Sequence, residues 1–272
     1  MSGGHRHVWP GVLIDLDVDL LDRCARARFH LPTDAVLVGV TALQLHGVDV
    51  GDRRVVRAAT RTTAQTRRAG VRLSRLRVLP PHAGGLALPA AAWRGAACEL
   101  DLVELVAVGD ALLHAGKVGL PDLTRAADDS AGRGCRRLRR AAGLVRKRVD
   151  SLSETRLRLC LVLAGLPEPR CNVVLGDGDR AIGRVDLLVE EFGLILEYDG
   201  DQHRDRGQWN VDLDRDDAFT AADFATIRVT RDRLRRPRQL VGKVYARLVE
   251  RGYRGPAPTF TAEWVALFER RE

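Results

Sequence analysis

The stretch Ile182-Gly-Arg-Val-Asp-Leu-Leu-Val-Glu-Glu-Phe-Gly-Leu-Ile-Leu-Glu-Tyr-Asp199 decides the fold. Apolar runs on either side of the turn Glu190-Glu-Phe-Gly193 predict a β-hairpin. With that turn, Val189 faces Leu194, Leu187 meets Leu196 and Val185 meets Tyr198, so one face of the pair is apolar. The same register sets Asp186 opposite Glu197. Cross-strand neighbours have Cβ atoms roughly 4.5–5.5 Å apart, and like charges so placed repel each other. A divalent cation such as Mg²⁺ offsets that repulsion, because hard cations are held by one or two carboxylates and keep waters for a substrate phosphate. Asp199 shares the face of Glu197 and stands across from Arg184. It reads either as a plain cross-strand ion pair or as a third metal ligand.

Working outward, Ser151-Leu-Ser-Glu154 fits a capping box. The helix it opens is expected to bury Leu157, Cys160, Leu161 and Ala164 and to stop at Gly165, ahead of Pro167. A strand over Cys171–Leu175 follows, separated from the hairpin by the polar turn Gly176–Arg180. Gly200 permits a sharp exit into Asp201-Gln-His203. His203 is the only histidine of the C-terminal half. In a polar loop a histidine is usually just solvated; just past a carboxylate pair it is a candidate general base, or an acid for the leaving oxygen. A helix over 210–223 and a strand over 225–229 complete the pattern, which predicts an α/β domain with a mixed sheet flanked by helices. Arg215 and Arg228 on these last elements read equally as phosphate contacts, as braces for the acids, or as ordinary parts of a closing layer.

The N-terminal half is plainer. Val12-Leu-Ile-Asp-Leu-Asp-Val-Asp-Leu20 alternates like an edge strand. Thr41-Ala-Leu-Gln-Leu-His-Gly47 reads as a short helix with a glycine stop, and His46 in it as a packed or capping side chain. Strand-like runs at Arg54–Ala59 and Val71–Val78 are followed by a helix over Leu100–His114 and another opened by Pro121. Arg133–Val149 holds eight basic residues, with Leu138, Ala141, Ala142, Val145 and Val149 at helical spacing. This amphipathic helix has two readings, a solvated face tethering two domains or a rail along a phosphate backbone. The expected organisation is an α+β region over 1–130, the basic connecting helix over 131–150, the α/β domain over 151–250 and a tail helix over 251–272.

Composition sets the outer bounds. The 272 residues are 45% hydrophobic and 29% charged, ordinary globular usage, with a formal net charge of +8. That balance favours polyanionic partners, nucleic acid first. Five scattered cysteines without a CxxC pair predict reduced thiols in the core rather than disulfides or a zinc site. A secretory-type leader and an apolar run of about 18 residues are both missing, so the chain reads as cytoplasmic, with no membrane partner.

Glu154, Arg184-Val-Asp186, Leu196-Glu-Tyr-Asp-Gly-Asp-Gln-His203, Asp212-Leu-Asp-Arg215 and Ile227-Arg-Val-Thr230 together resemble the Vsr-like (very short patch repair) endonuclease domain. That domain belongs to the restriction-endonuclease-like PD-(D/E)XK superfamily, and the likeness covers residues of about 151–248. It implies a restriction-endonuclease-like sheet, DNA as substrate and Mg²⁺ or Mn²⁺ as cofactor. It also implies that Asp186 and Glu197 hold the metal, that Glu154 supports them, and that His203 lies near the scissile phosphate. The superfamily's usual lysine would stand at position 199, where this chain has Asp, and Lys117, Lys147 and Lys243 all lie away from the motif. Arginine stays protonated and cannot take over as a base, so hydrolysis would rely on metal-activated water, helped by His203. Vsr-like members share this lack. The N-terminal segment around Thr41–Gly47 is similar to the AbiEi-type antitoxin family, though only about 35 residues precede it, too few for that family's winged helix. The two expectations for function are therefore a metal-dependent DNA endonuclease, in a toxin–antitoxin or defence setting, and a catalytically silent DNA-binding regulator on the same fold.

Overall fold

A four-stranded sheet, its strands hydrogen-bonded in chain order, organises the C-terminal half. The computed structural model describes residues 18–176, 182–199, 215 and 217–269. The chain divides into two units, Met1–Ser151 and Leu152–Glu272. Both are mixed α/β, with helices flanking a mixed sheet.

In the second unit, helix α7 (Leu152–Val162) leads into β6 (Arg170–Leu175), β7 (Gly183–Val189), a single 3-10 turn (Glu190–Phe192), β8 (Leu194–Asp199) and β9 (Ala225–Thr230). The β7–β8 hairpin has the register its apolar pattern requires, with Val189 paired to Leu194, Leu188 to Ile195 and Leu187 to Leu196. Gly193 closes the turn at φ 54°, a left-handed position where glycine carries no Cβ penalty. β6 pairs antiparallel to β7, and β9 runs parallel to β8. The strand interiors are fully buried, including Val185, Leu187, Leu194, Ile195 and Leu196.

Among the described residues, 217–221 are helical, and after β9 come α8 (Arg231–Leu234), α9 (Pro237–Glu250) and α10 (Ala262–Phe268). The tail helix is held to α7, because the buried Trp264 donates its Nε1–H to the Cys160 carbonyl at 2.9 Å. Arg238 lies 4.4 Å from the Phe260 ring centroid and bonds Glu269, which stitches α9 to α10. All five cysteines are free thiols. Burial pushes the Cys160 thiol up to about 12, so it acts as an inert packing group.

The first unit carries a five-stranded sheet of order β3-β2-β1-β5-β4. Its strands are β1 (Val36–Leu37), β2 (Val56–Thr60), β3 (Val71–Arg75), β4 (His82–Ala83) and β5 (Leu86–Ala87). Helices α1 (Val18–Arg28), α2 (Gly39–Leu45), α3 (Pro89–Ala96), α4 (Leu102–His114), α5 (Leu120–Asp128) and α6 (Cys135–Leu144) surround it. A capping box between Asp101 and Glu104 opens α4. His46 is a packed residue, its Nε2 lying 2.8 Å from the Ala87 carbonyl. Among the described residues, no helix is long and apolar enough to cross a membrane.

Two expectations change here. The alternating run expected as a strand over 12–20 enters α1 at Val18, and its earlier residues lie outside the described ones. Leu20, Cys24 and Ala27 are buried at helical spacing, and that period outweighs the local alternation. The basic helix ends at Leu144 and belongs to the first unit instead of connecting two domains. It packs on α4 and α5, and Arg137 and Arg139 bond the carbonyls of Leu100 and Ser130 at 2.6 Å each. Val145 and Val149 are still buried, because the chain leaves α6 extended at Val145 and passes along α4, where the Arg146 N–H bonds Asp110 Oδ1 at 2.7 Å.

Gly109 makes that passage possible, since a Cβ there would sit 2.5 Å from the Val145 Cγ2. Gly109→Ala is expected to destabilise the first unit. Overpacking typically costs about 1–3 kcal/mol, more than the ~1 kcal/mol gained in helix propensity. Urea unfolding measures the change, and adding Val145→Ala relieves most of the clash.

Candidate functional site

Strand registers bring one polar line across the second sheet. Glu197 on β8 pairs with Arg228 on β9. The β7–β8 ladder, carried one step beyond Leu187–Leu196, sets Asp186 across from Glu197. The β6–β7 ladder has pairs on both sides of the Asn172–Asp186 position, which makes these two residues neighbours as well. Asn172, Asp186, Glu197 and Arg228 thus form a row through four strands. The adjoining row of Cys171, Leu187, Leu196 and Ile227 is apolar. A polar row in a sheet this buried requires partners for each member.

Those partners are visible. Asp186 Oδ2 accepts the backbone N–H of Tyr198 at 2.8 Å, where the ladder would otherwise continue. This bond brings the carboxylate to the peptide that follows Glu197. Glu197 Oε1 is ion-paired with Arg215 Nη2. Asn172 takes the left-handed φ of 48° and donates its Nδ2–H to Glu154 Oε2 at 2.7 Å. Glu154 is itself buried, at 6% exposure, so the first turn of α7 supplies the carboxylate that closes this end of the row.

Arg215 is held from three sides. Its guanidinium carbon lies 5.2 Å from the Phe219 ring centroid. Its aliphatic stem passes Gly183, where a Cβ would come within 3.3 Å of Cδ. Gly183 also adopts φ 151°, which disfavours other residues. Arg215 therefore braces Glu197, one of the parts the sequence left open to it.

The remaining expected residues fall as follows. Asp199 pairs in register with Thr230 on β9, at a point where the β7–β8 ladder has already ended. Among the described residues, no three His, Cys, Asp or Glu side chains gather into a group that could hold a metal ion. Asp186 reaches the peptide that follows Glu197, and Asp199 pairs onward with β9. Arg228 stands beside Glu197 in the row, and its carbonyl accepts a bond from Arg233. His203 lies outside the described residues. Asn172 was missed by sequence reasoning, although a lone amide in the apolar strand Cys171–Leu175 marks it once the first hairpin's register is counted.

Two proteins from separate strains of Mycobacterium tuberculosis, both described as uncharacterized, are similar to this chain. Each is 26% identical over 227 residues, covering 76% of this chain and 81% of the relative. No known family profile matches the chain, and no solved structure matches it.

Arg215→Gln removes a charge-assisted bond worth about 1.5–3 kcal/mol and leaves Glu197 beside Asp186 uncompensated. The melting temperature in EDTA should fall. Adding Asp186→Asn to that variant should recover part of the loss, a non-additivity that the double-mutant cycle measures. Strict additivity would mean that the two acids do not feel each other.

Proposed function

We infer that this chain is a metal-dependent endonuclease-like protein acting on DNA phosphodiesters, with Mg²⁺ or Mn²⁺ as cofactor. The observation that supports the reading is the bond from the Tyr198 N–H to Asp186, which brings that carboxylate to the peptide following Glu197. Carboxylate oxygens form a donor set of the kind hard divalent cations take. A cation there lowers the pKa of bound water and neutralises charge developing on the phosphate. Asp186 and Glu197 supply the oxygens. Asp186 is fixed for this by the Tyr198 N–H, which leaves its rotamer little freedom. Glu154 acts at one remove, orienting Asn172 next to Asp186. Arg215 and Arg228 flank Glu197, and a guanidinium turning from the carboxylate to a substrate phosphate keeps the local charge balanced. His203, close in sequence to the end of β8, is the proposed proton-transfer group.

One observation favours a second reading. Glu197 already has a cationic partner in Arg215. A row compensated internally serves equally as the scaffold of a catalytically silent DNA-binding regulator or antitoxin-like protein.

Supercoiled plasmid separates the two. The nuclease reading expects nicking that requires Mg²⁺ or Mn²⁺ and falls at least about 100-fold in Asp186→Ala and in Glu197→Ala, in keeping with the loss of a metal ligand. Retained DNA binding in EDTA, with no cleavage by any of the three proteins in either metal, supports the regulator.

A further inference from the structure

The positive charge of this protein is not where the carboxylate row is. Residues 1–151 hold 24 of the 44 Lys+Arg and only 15 of the 36 Asp+Glu, whereas 152–272 hold 20 against 21. Within the first unit, the segment from Arg53 to Cys98 carries ten arginines and no acidic residue. This segment builds β2, the loop after it and β3, and β3 is an outer strand of the first sheet.

Most of the neutralised arginines are easily separated from the rest. Arg57 is buried and bonds Glu99 at 2.5 Å. Arg61 and Arg72 lie at 3.8 Å from Asp34 and Glu99. Arg67, Arg68, Arg75 and Arg77 are exposed and have no carboxylate within ion-pair distance among the described residues. Thr62, Thr63, Gln65, Thr66 and Ser74, all but Thr66 fully exposed, lie between them and offer hydrogen bonds suited to phosphate and sugar.

We propose that the β3 edge and the β2–β3 loop form a binding surface for the phosphodiester backbone of duplex nucleic acid. From Arg72 to Arg77 the edge runs for about 16 Å, the rise of roughly five base pairs along a duplex axis. Residues 61–78 contain no Phe, Tyr or Trp, so bases have no stacking platform, and the surface takes paired strands without reading sequence. The same segment lacks the apolar face that an interfacial membrane helix inserts. The proposal stands apart from the carboxylate reading, because it needs neither metal nor cleavage.

Anisotropy of a labelled 30-base-pair duplex of arbitrary sequence, in EDTA across a salt series, is the test. The variant R67Q/R68Q/R75Q/R77Q should keep its circular dichroism and lower the slope of log K against log salt by about 3–4, since each phosphate contact contributes about 0.9. The double variants R67Q/R68Q and R75Q/R77Q should each lower it by about 2. Because the titration runs in EDTA, the loss cannot depend on a metal held at Asp186 and Glu197, which separates this surface from the proposed nuclease site. Neutralising Arg235, Lys243, Arg247 and Arg254 in the second unit should leave the slope unchanged. An equal loss in that control would mean that net charge alone decides, and would overturn the proposal. So would unchanged binding by the quadruple variant accompanied by self-association, the sign of arginines that merely guard an edge strand.

Discussion

Two carboxylates facing each other across neighbouring strands cost free energy, and the C-terminal unit is arranged around that cost. Asp186 is tied to the Tyr198 amide, and Glu197 to Arg215. Asn172 gives up ordinary strand geometry and turns to Glu154. Each contact has its own sequence origin: a turn length for the Asp186–Glu197 register, a glycine for the passage of Arg215, and a helix start for Glu154. Protein folds rarely gather this many polar devices in one row of a buried sheet for stability alone, since a hydrophobic row of equal volume packs as well or better. Such rows concentrate where chemistry requires them.

The two units divide their physical tasks. The second has near-balanced charge and a half-buried carboxylate row; the first has a large excess of arginine, part of it on the outer strand β3 and the loop before it. Long-range attraction to a polyanion comes from the net field of the exposed guanidinium groups, whereas chemistry on a phosphate depends on a few oxygens placed within tenths of an ångström. On the proposed reading, separate units let the first bind a polyanion without reading its sequence, with a steep salt dependence, while the second holds its carboxylates rigid. The fully buried Arg158, bonded to Glu168 at 3.0 Å, adds to that rigidity from within α7.

What was legible in the sequence follows the strength of its local signals. The β7–β8 register could be read from Leu187, Val189, Leu194 and Leu196, because a one-residue slip would turn all four to the wrong face. Helix α4 was legible from its apolar spacing and its stop near Gly116. The two-residue strands β1, β4 and β5 were not, since two residues carry no period, nor was α3, whose run of alanines fits several states. At the site, Asp186 and Glu197 were legible as neighbours. That Arg215 braces Glu197 was one of three readings open to it, and residue spacing could not choose among them. Asp199 stayed open between its two readings, because the same side in the pleat suits an ion pair and a metal ligand alike.

Crystals soaked in Mn²⁺ and examined by anomalous scattering test the central claim most directly. The account predicts a single strong peak between the Asp186 and Glu197 carboxylates, with Arg215 moved from Glu197, and no such peak in Asp186→Asn crystals. Saturating Mn²⁺ with no density there, and Arg215 still seated on Glu197, would contradict it.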